Sequence, residues 1–130
     1  ILSTGGGVRV LRDPTRGGAA TTLNEFVEGT PLGIELDERL IPVRPDVQAA
    51  CDMLGLDAMY CANEGKLLAV VAPEAEERVL EAMHRTDEGK DAVTIGEVTD
   101  GYPGRLVMNT AFGGRRILQK LTGAQLPRIC

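Results

Sequence analysis

At 130 residues and 13.9 kDa, the chain suffices for one compact domain with a real core and falls short of two ordinary ones. A formal charge of -5 and a pI near 4.9 exclude the basic stripe that nucleic acid requires, and 3% aromatic residues without Trp leave no base-stacking platform. No apolar run nears the roughly 20 residues of a membrane-spanning helix, so neither nucleic acid nor a membrane is expected as a partner.

The first residues, Ile1-Leu2-Ser3-Thr4-Gly5-Gly6-Gly7, have no initiator Met and none of the basic and apolar regions of a secretory signal; they read as a cut inside a longer protein. Val8 to Leu11 alternates like a short strand and runs into Asp13-Pro14-Thr15-Arg16-Gly17-Gly18, where Asp or Thr can cap a helix start. A helix follows from Gly18 to about Val27, with Ala19, Leu23, Phe26 and Val27 at helical spacing and Gly29 and Pro31 as its stop. Gly33 to Leu36 alternates like a strand. Pro45 opens a second helix with Val47, Ala50, Cys51 and Leu54 on one face and Gly55 at its end. Lys66 to Ala72 is a nearly unbroken apolar run, which predicts a strand buried on both faces and central to the sheet. Pro73 to Arg85 is a third helix, acidic in its first turns. Ala92 to Val98 and Arg105 to Met108 read as strands joined by a turn-rich connection, and Arg115 to Leu121 is open between strand and helix. This order lacks strict βαβ alternation and predicts an α+β fold, a mixed sheet packed by helices. Residues 1–121 are expected to form one domain, and residues 122–130 a mobile tail.

Four local features can carry chemistry. Asp13 to Gly18 places a guanidinium, Arg16, and free backbone N-H groups where an anion would bind; the plainer reading is a capped helix with a local Arg-Asp ion pair. Ala62-Asn63-Glu64-Gly65-Lys66 is a polar turn whose Glu64 would serve as a general base if partly desolvated; alone it reads equally as a solvated turn. Cys130 puts a thiol on the last residue of Leu126-Pro127-Arg128-Ile129-Cys130, which suggests a use for it, and the prenylation pattern does not fit. Gly113-Gly114 before Arg115-Arg116 reads as a turn with a solvated basic pair, or as a hinge for the tail. Three cysteines at 51, 61 and 130 have neither disulfide-framework nor C-x-x-C spacing and suit a reducing cytoplasm. Cys51 and Cys61 are expected to be small buried hydrophobes; a metal module using them with His84 has no support in spacing, and no metal ligand is assigned.

In this order, Asp13 to Gly18, Ile41-Pro42-Val43, Leu54-Gly55-Leu56-Asp57, Ala62 to Lys66, Ile95-Gly96-Glu97-Val98 and Pro127 to Cys130 resemble the C-terminal domain of the HypE hydrogenase-maturation family. That family lies in the ATP-dependent superfamily of aminoimidazole ribonucleotide synthetase and selenophosphate synthetase. The resemblance implies that the carbamoyltransferase HypF loads a carbamoyl group onto the terminal thiol and that ATP then drives its dehydration to a thiocyanate. The cyano group would pass to iron on the HypC-HypD complex for the nickel-iron hydrogenase. It further implies Cys130 as carrier, Glu64 as base at the carboxamide nitrogen, Asn63 orienting the tail or the nucleotide, and Arg16, Gly17 and Gly18 facing the nucleotide. ATP and Mg2+ would be held mainly by an N-terminal domain absent from this chain, so that the chain alone is inactive, and the full-length protein would be a homodimer. The rivals are another synthetase of the superfamily, against which the Pro-Arg-Ile-Cys end speaks, and a non-catalytic docking module in which Cys130 is replaceable by Ser.

Overall fold

In the computed structural model, Ile1 and residues 5–121 are described. The first strand, β1 (Val8–Arg12), leads through the Asp13–Gly18 segment into helix α1 (Gly18–Val27) and strand β2 (Gly33–Asp37). Helix α2 (Pro45–Leu54) and a 3-10 turn at Ala58–Tyr60 precede strand β3 (Leu68–Val71). Helix α3 (Glu76–His84), entered through a 3-10 turn at Pro73–Ala75, is followed by strands β4 (Gly96–Thr99), β5 (Leu106–Asn109) and β6 (Arg115–Leu118). Each expected element has a counterpart, but the strand expected over Ala92–Val98 begins only at Gly96, and the ambiguous Arg115–Leu121 segment resolves as a strand through Leu118.

The strands form two sheets. The larger has the order β4-β2-β5-β6, with β2 antiparallel to β4 and parallel to β5, and β5 antiparallel to β6. Alternation along β2 and β5 sends Ile34, Leu36, Leu106 and Met108 to one face, where Leu118 of β6 joins them. Helix α1 lies over that face and buries Ala20, Leu23 and Val27 against it. Its apolar positions recur at three- and four-residue intervals, so one stripe meets the sheet. This is the α+β architecture expected, a mixed sheet packed by a helix.

The remaining sheet corrects an expectation. Strand β3 is not central: among the described residues it pairs only with β1, antiparallel, in a separate two-stranded sheet, and its four residues are half-buried. An apolar run reports what side chains are, not how many strands flank them, and among the described residues β1 is the single neighbour that β3 has. Helix α2 departs in the same way. Its limits and its Gly55 stop are as expected, but only Cys51 of the anticipated face is buried, while Val47 and Leu54 are exposed. The helix rests on the Ala58–Tyr60 turn and not on a sheet, so one residue suffices for the contact.

Candidate functional site

The Asp13–Gly18 segment closes β1 and turns into α1. Neither Asp13 nor Thr15 caps the helix, contrary to expectation: the cap position is Gly17, in the left-handed region at φ 74°, and no side chain accepts from the first-turn amides. A side chain at Gly17 would collide with the Thr21 hydroxyl, and one at Gly18 would lie 2.5 Å from the Met59 carbonyl oxygen and 2.7 Å from that of Cys61. Those two oxygens are backbone atoms and cannot swing away. The glycines therefore let the start of α1 sit directly on the Ala58–Cys61 turn, where Gly17 and Gly18 are both buried. Arg16 is exposed beside them, without an ion pair or side-chain hydrogen bond among the described residues, so the local Arg-Asp pair is not formed.

The same contact brings the second candidate segment in. The chain leaves the Ala58–Tyr60 turn through Cys61 and Ala62, and the Asn63 amide donates to the Pro14 carbonyl at 3.1 Å. Asn63 is half-buried and Glu64, next in the turn, is exposed without a side-chain partner among the described residues. Arg16, Gly17, Gly18, Asn63 and Glu64 thus belong to two adjoining loops. The desolvated pocket considered for Glu64 is not built by the described residues.

A third segment arrives from the far end of the chain. After β6, the Leu118 carbonyl accepts from the Asn24 side chain at 2.9 Å, the Gln119 carbonyl from the Tyr60 hydroxyl at 2.9 Å, and the Leu121 amide donates to Thr21 Oγ1 at 3.4 Å. Lys120 meets Glu28 at 2.6 Å, and that carboxylate holds its ammonium above the ordinary range. Burial pushes the Tyr60 phenol up, which keeps it a donor. Arg116, on the core side of β6, pairs with Asp57 at 2.8 Å, and Arg115 bonds to the Asn109 and Tyr102 oxygens. The basic pair is thus engaged on both sides, not merely solvated. Gly113 lies in the β5–β6 turn, where its amide bonds back to Thr110, and serves a hairpin and not a hinge of the tail.

Asn24, Thr21, Tyr60, Asp57 and Lys120 were not foreseen as site residues. Each acts across a large sequence separation, and no local pattern marks such a role. Cys130 and the rest of residues 122–130 lie outside the described residues, so the terminal thiol and the anticipated tail are not placed. His84 bonds the Ala92 carbonyl at 2.7 Å, and among the described residues no three His, Cys, Asp or Glu side chains converge as metal ligands. Nor is any described helix long and apolar enough to cross a membrane.

The comparisons with known proteins agree with this fold. Residues 1–109 match the family model of the AIR synthase related protein, C-terminal domain. The carbamoyl dehydratase HypE of Bradyrhizobium diazoefficiens is 54% identical over 130 residues, which is 100% of this chain and 38% of that protein. The chain therefore spans well under half the length of that relative. A crystal structure of the hydrogenase maturation protein HypE in complex with ATP superposes with a TM-score of 0.90 at 43% identity, covering 100% of this chain and 40% of that one. The HypE–HypF complex matches with a TM-score of 0.81 at 42% identity, over 87% of this chain and 36% of that one.

Proposed function

Because the chain belongs to the AIR synthase related protein C-terminal domain family, in its HypE branch, we propose that it is the C-terminal part of an ATP-dependent carbamoyl dehydratase. In this reading HypF places a carbamoyl group on Cys130, and the protein converts the resulting S-carboxamide to a thiocyanate. The cyano group then passes to the HypC-HypD complex as the cyanide ligand of the nickel-iron hydrogenase, in the cytoplasm. A relative's complex with HypF supports that partner, and a relative's complex with ATP supports the nucleotide.

The chemistry sets what the residues must do. Direct loss of the carboxamide oxygen would expel a very poor leaving group. Transfer of the γ-phosphoryl group of ATP onto that oxygen makes the leaving group phosphate, and removal of both nitrogen protons leaves the carbon–nitrogen triple bond. The products are thiocyanate, ADP and phosphate. Arg16 and the helix start at Gly17 and Gly18 would face the phosphates, since a guanidinium and a helix start both favour anions. Glu64 would accept a nitrogen proton and Asn63 would orient the tail or the nucleotide. Magnesium would neutralise phosphate charge when bound, but the described residues offer no cluster of ligands for it, and it is assigned with most of the ATP contacts to a domain outside this chain. The homodimer is assigned to that domain as well.

One observation carries the reading: the Asp13–Gly18 loop, the Asn63–Glu64 turn and the root of the C-terminal segment converge. Leu121 is tied to Thr21, whose hydroxyl adjoins Gly17. Cys130 lies nine positions beyond Leu121, and at about 3.3 Å per position that segment reaches up to roughly 30 Å, enough to bring the thiol to Glu64 or outward to a partner. Intact-mass spectrometry of the full-length protein with HypF, carbamoyl phosphate and ATP tests it. A carbamoyl adduct that then loses one water, absent in Cys130→Ser, is expected; no adduct with active HypF sinks the proposal. Glu64→Gln should still be carbamoylated but dehydrate about 10²–10⁴-fold more slowly.

A further inference from the structure

Strand β6 ends at Leu118, which is registered against Leu106 of β5. The contacts that follow belong to no sheet. The Tyr60 hydroxyl donates to the Gln119 carbonyl at 2.9 Å, and the Leu121 amide donates to Thr21 Oγ1 at 3.4 Å. From Leu118 at Asn24 to Leu121 at Thr21, the chain therefore runs back along α1 toward its start. Thr21 is one helical turn from Gly17, to whose carbonyl its amide donates at 3.3 Å. Tyr60 stands where this path meets the candidate base. It closes the Ala58–Tyr60 turn, and the carbonyls of its two neighbours, Met59 and Cys61, pack against Gly18. Asp57 holds that turn by accepting from the Met59 amide at 2.9 Å and from Arg116 of β6 at 2.8 Å. Glu64 follows Tyr60 by four residues. The Tyr60 ring lies half-buried against the core cluster, so its hydroxyl is presented from a fixed support.

We propose that Tyr60 is a positioning residue for the dehydration: its hydroxyl holds the root of the C-terminal segment in register with the Asn63–Glu64 turn and so directs a carbamoylated Cys130 toward the start of α1. The proposal rests on the dehydratase reading and adds to it a residue that touches neither nucleotide nor carboxamide. Because Gln119 lies past the last ladder pair, the bond contributes nothing to sheet pairing; what it fixes is where the chain goes next. Direction counts for more than length here. Were the root released back to Leu118, the reach to Cys130 would grow from nine positions to twelve. An effective concentration that falls as about the −3/2 power of length would then drop less than about twofold. The net worth of a neutral hydrogen bond, expressed as a population, is about 3- to 10-fold.

The full-length protein is carbamoylated by HypF, separated from it and given ATP, and loss of water is followed by intact mass in the wild type and in Tyr60→Phe, which keeps the ring and removes only the donor. Dehydration at saturating ATP should slow about 3- to 10-fold, while the rate of loading by HypF and the ATP concentration for half-maximal rate stay at their wild-type values. Thr21→Val, which takes away the acceptor for the Leu121 amide, should slow dehydration in the same selective way, and Thr21→Ser should restore it. That pair decides the matter even if Tyr60→Phe fails to fold. A Tyr60→Phe rate within about twofold of wild type overturns the proposal, since length alone would account for it. So does a loss that falls equally on loading, or on the ATP requirement. A wild-type adduct that never loses water sinks the dehydration and this role together; a wild type that dehydrates no faster than its variants sinks the role alone.

Discussion

Gly18 shows how one absent side chain positions a site. Its φ of 65° and the carbonyl oxygens of Met59 and Cys61 both forbid a Cβ, so Gly18→Ala should cost about 1–3 kcal/mol in a urea unfolding curve and displace the Asn63–Pro14 bond. The Asp37 carboxylate gives a second check. It bonds the Arg39 guanidinium at 2.5 and 3.0 Å and accepts from the Arg39 amide, and these contacts hold its pKa down to about 2 from 3.8. A lowered carboxylate pKa adds stability that is fully present above the ordinary value and is lost as pH falls through about 2. A carboxyl NMR titration should place the Asp37 midpoint in that depressed range, and Arg39→Gln should return it toward 3.8.

Among the elements, α1 ties most of the site together: its start is the one proposed to face an anion, its Thr21 and Asn24 hold the C-terminal segment, and its apolar stripe is the core contact. Asn24→Ala removes bonds to the Ala20 and Leu118 carbonyls and should cost about 1–2 kcal/mol, with faster exchange of the β6 amides. Much of this was legible in the sequence. The limits of α1 and α2, the strands β2 and β5 and the two candidate loops follow from periodicity, breakers and polar turns, which are local signals. What failed was relational. The run through β3 could not disclose that it has one neighbour, the apolar face of α2 could not disclose that only Cys51 meets anything, and Gly17 as cap gave no signal against the better capping residues beside it. Asn24, Tyr60 and Lys120 were missed because their partners lie 59 to 94 positions away.

For the whole molecule, the proposed division of labour predicts that this 130-residue chain cannot turn over by itself. Carbamoylated at Cys130 and supplied with ATP, it should keep its carboxamide, as intact mass would read; loss of water from the isolated chain would place the phosphoryl-transfer machinery within these residues. The central strand pair has a different consequence. Ile34 of β2 lies beside Leu106 of β5, 72 positions later, and the segment between them leaves the sheet, returns once as β4 on the other side of β2, and leaves again before β5. The length-dependent part of closing such a loop is on the order of 4 kcal/mol, and it grows only with the logarithm of the length. Twenty further residues in it would add about 0.2 kcal/mol. The stretch that carries the Asn63–Glu64 turn can therefore change in length with little penalty to the sheet, and what holds that turn in place is its own bond to Pro14, not closure of the frame.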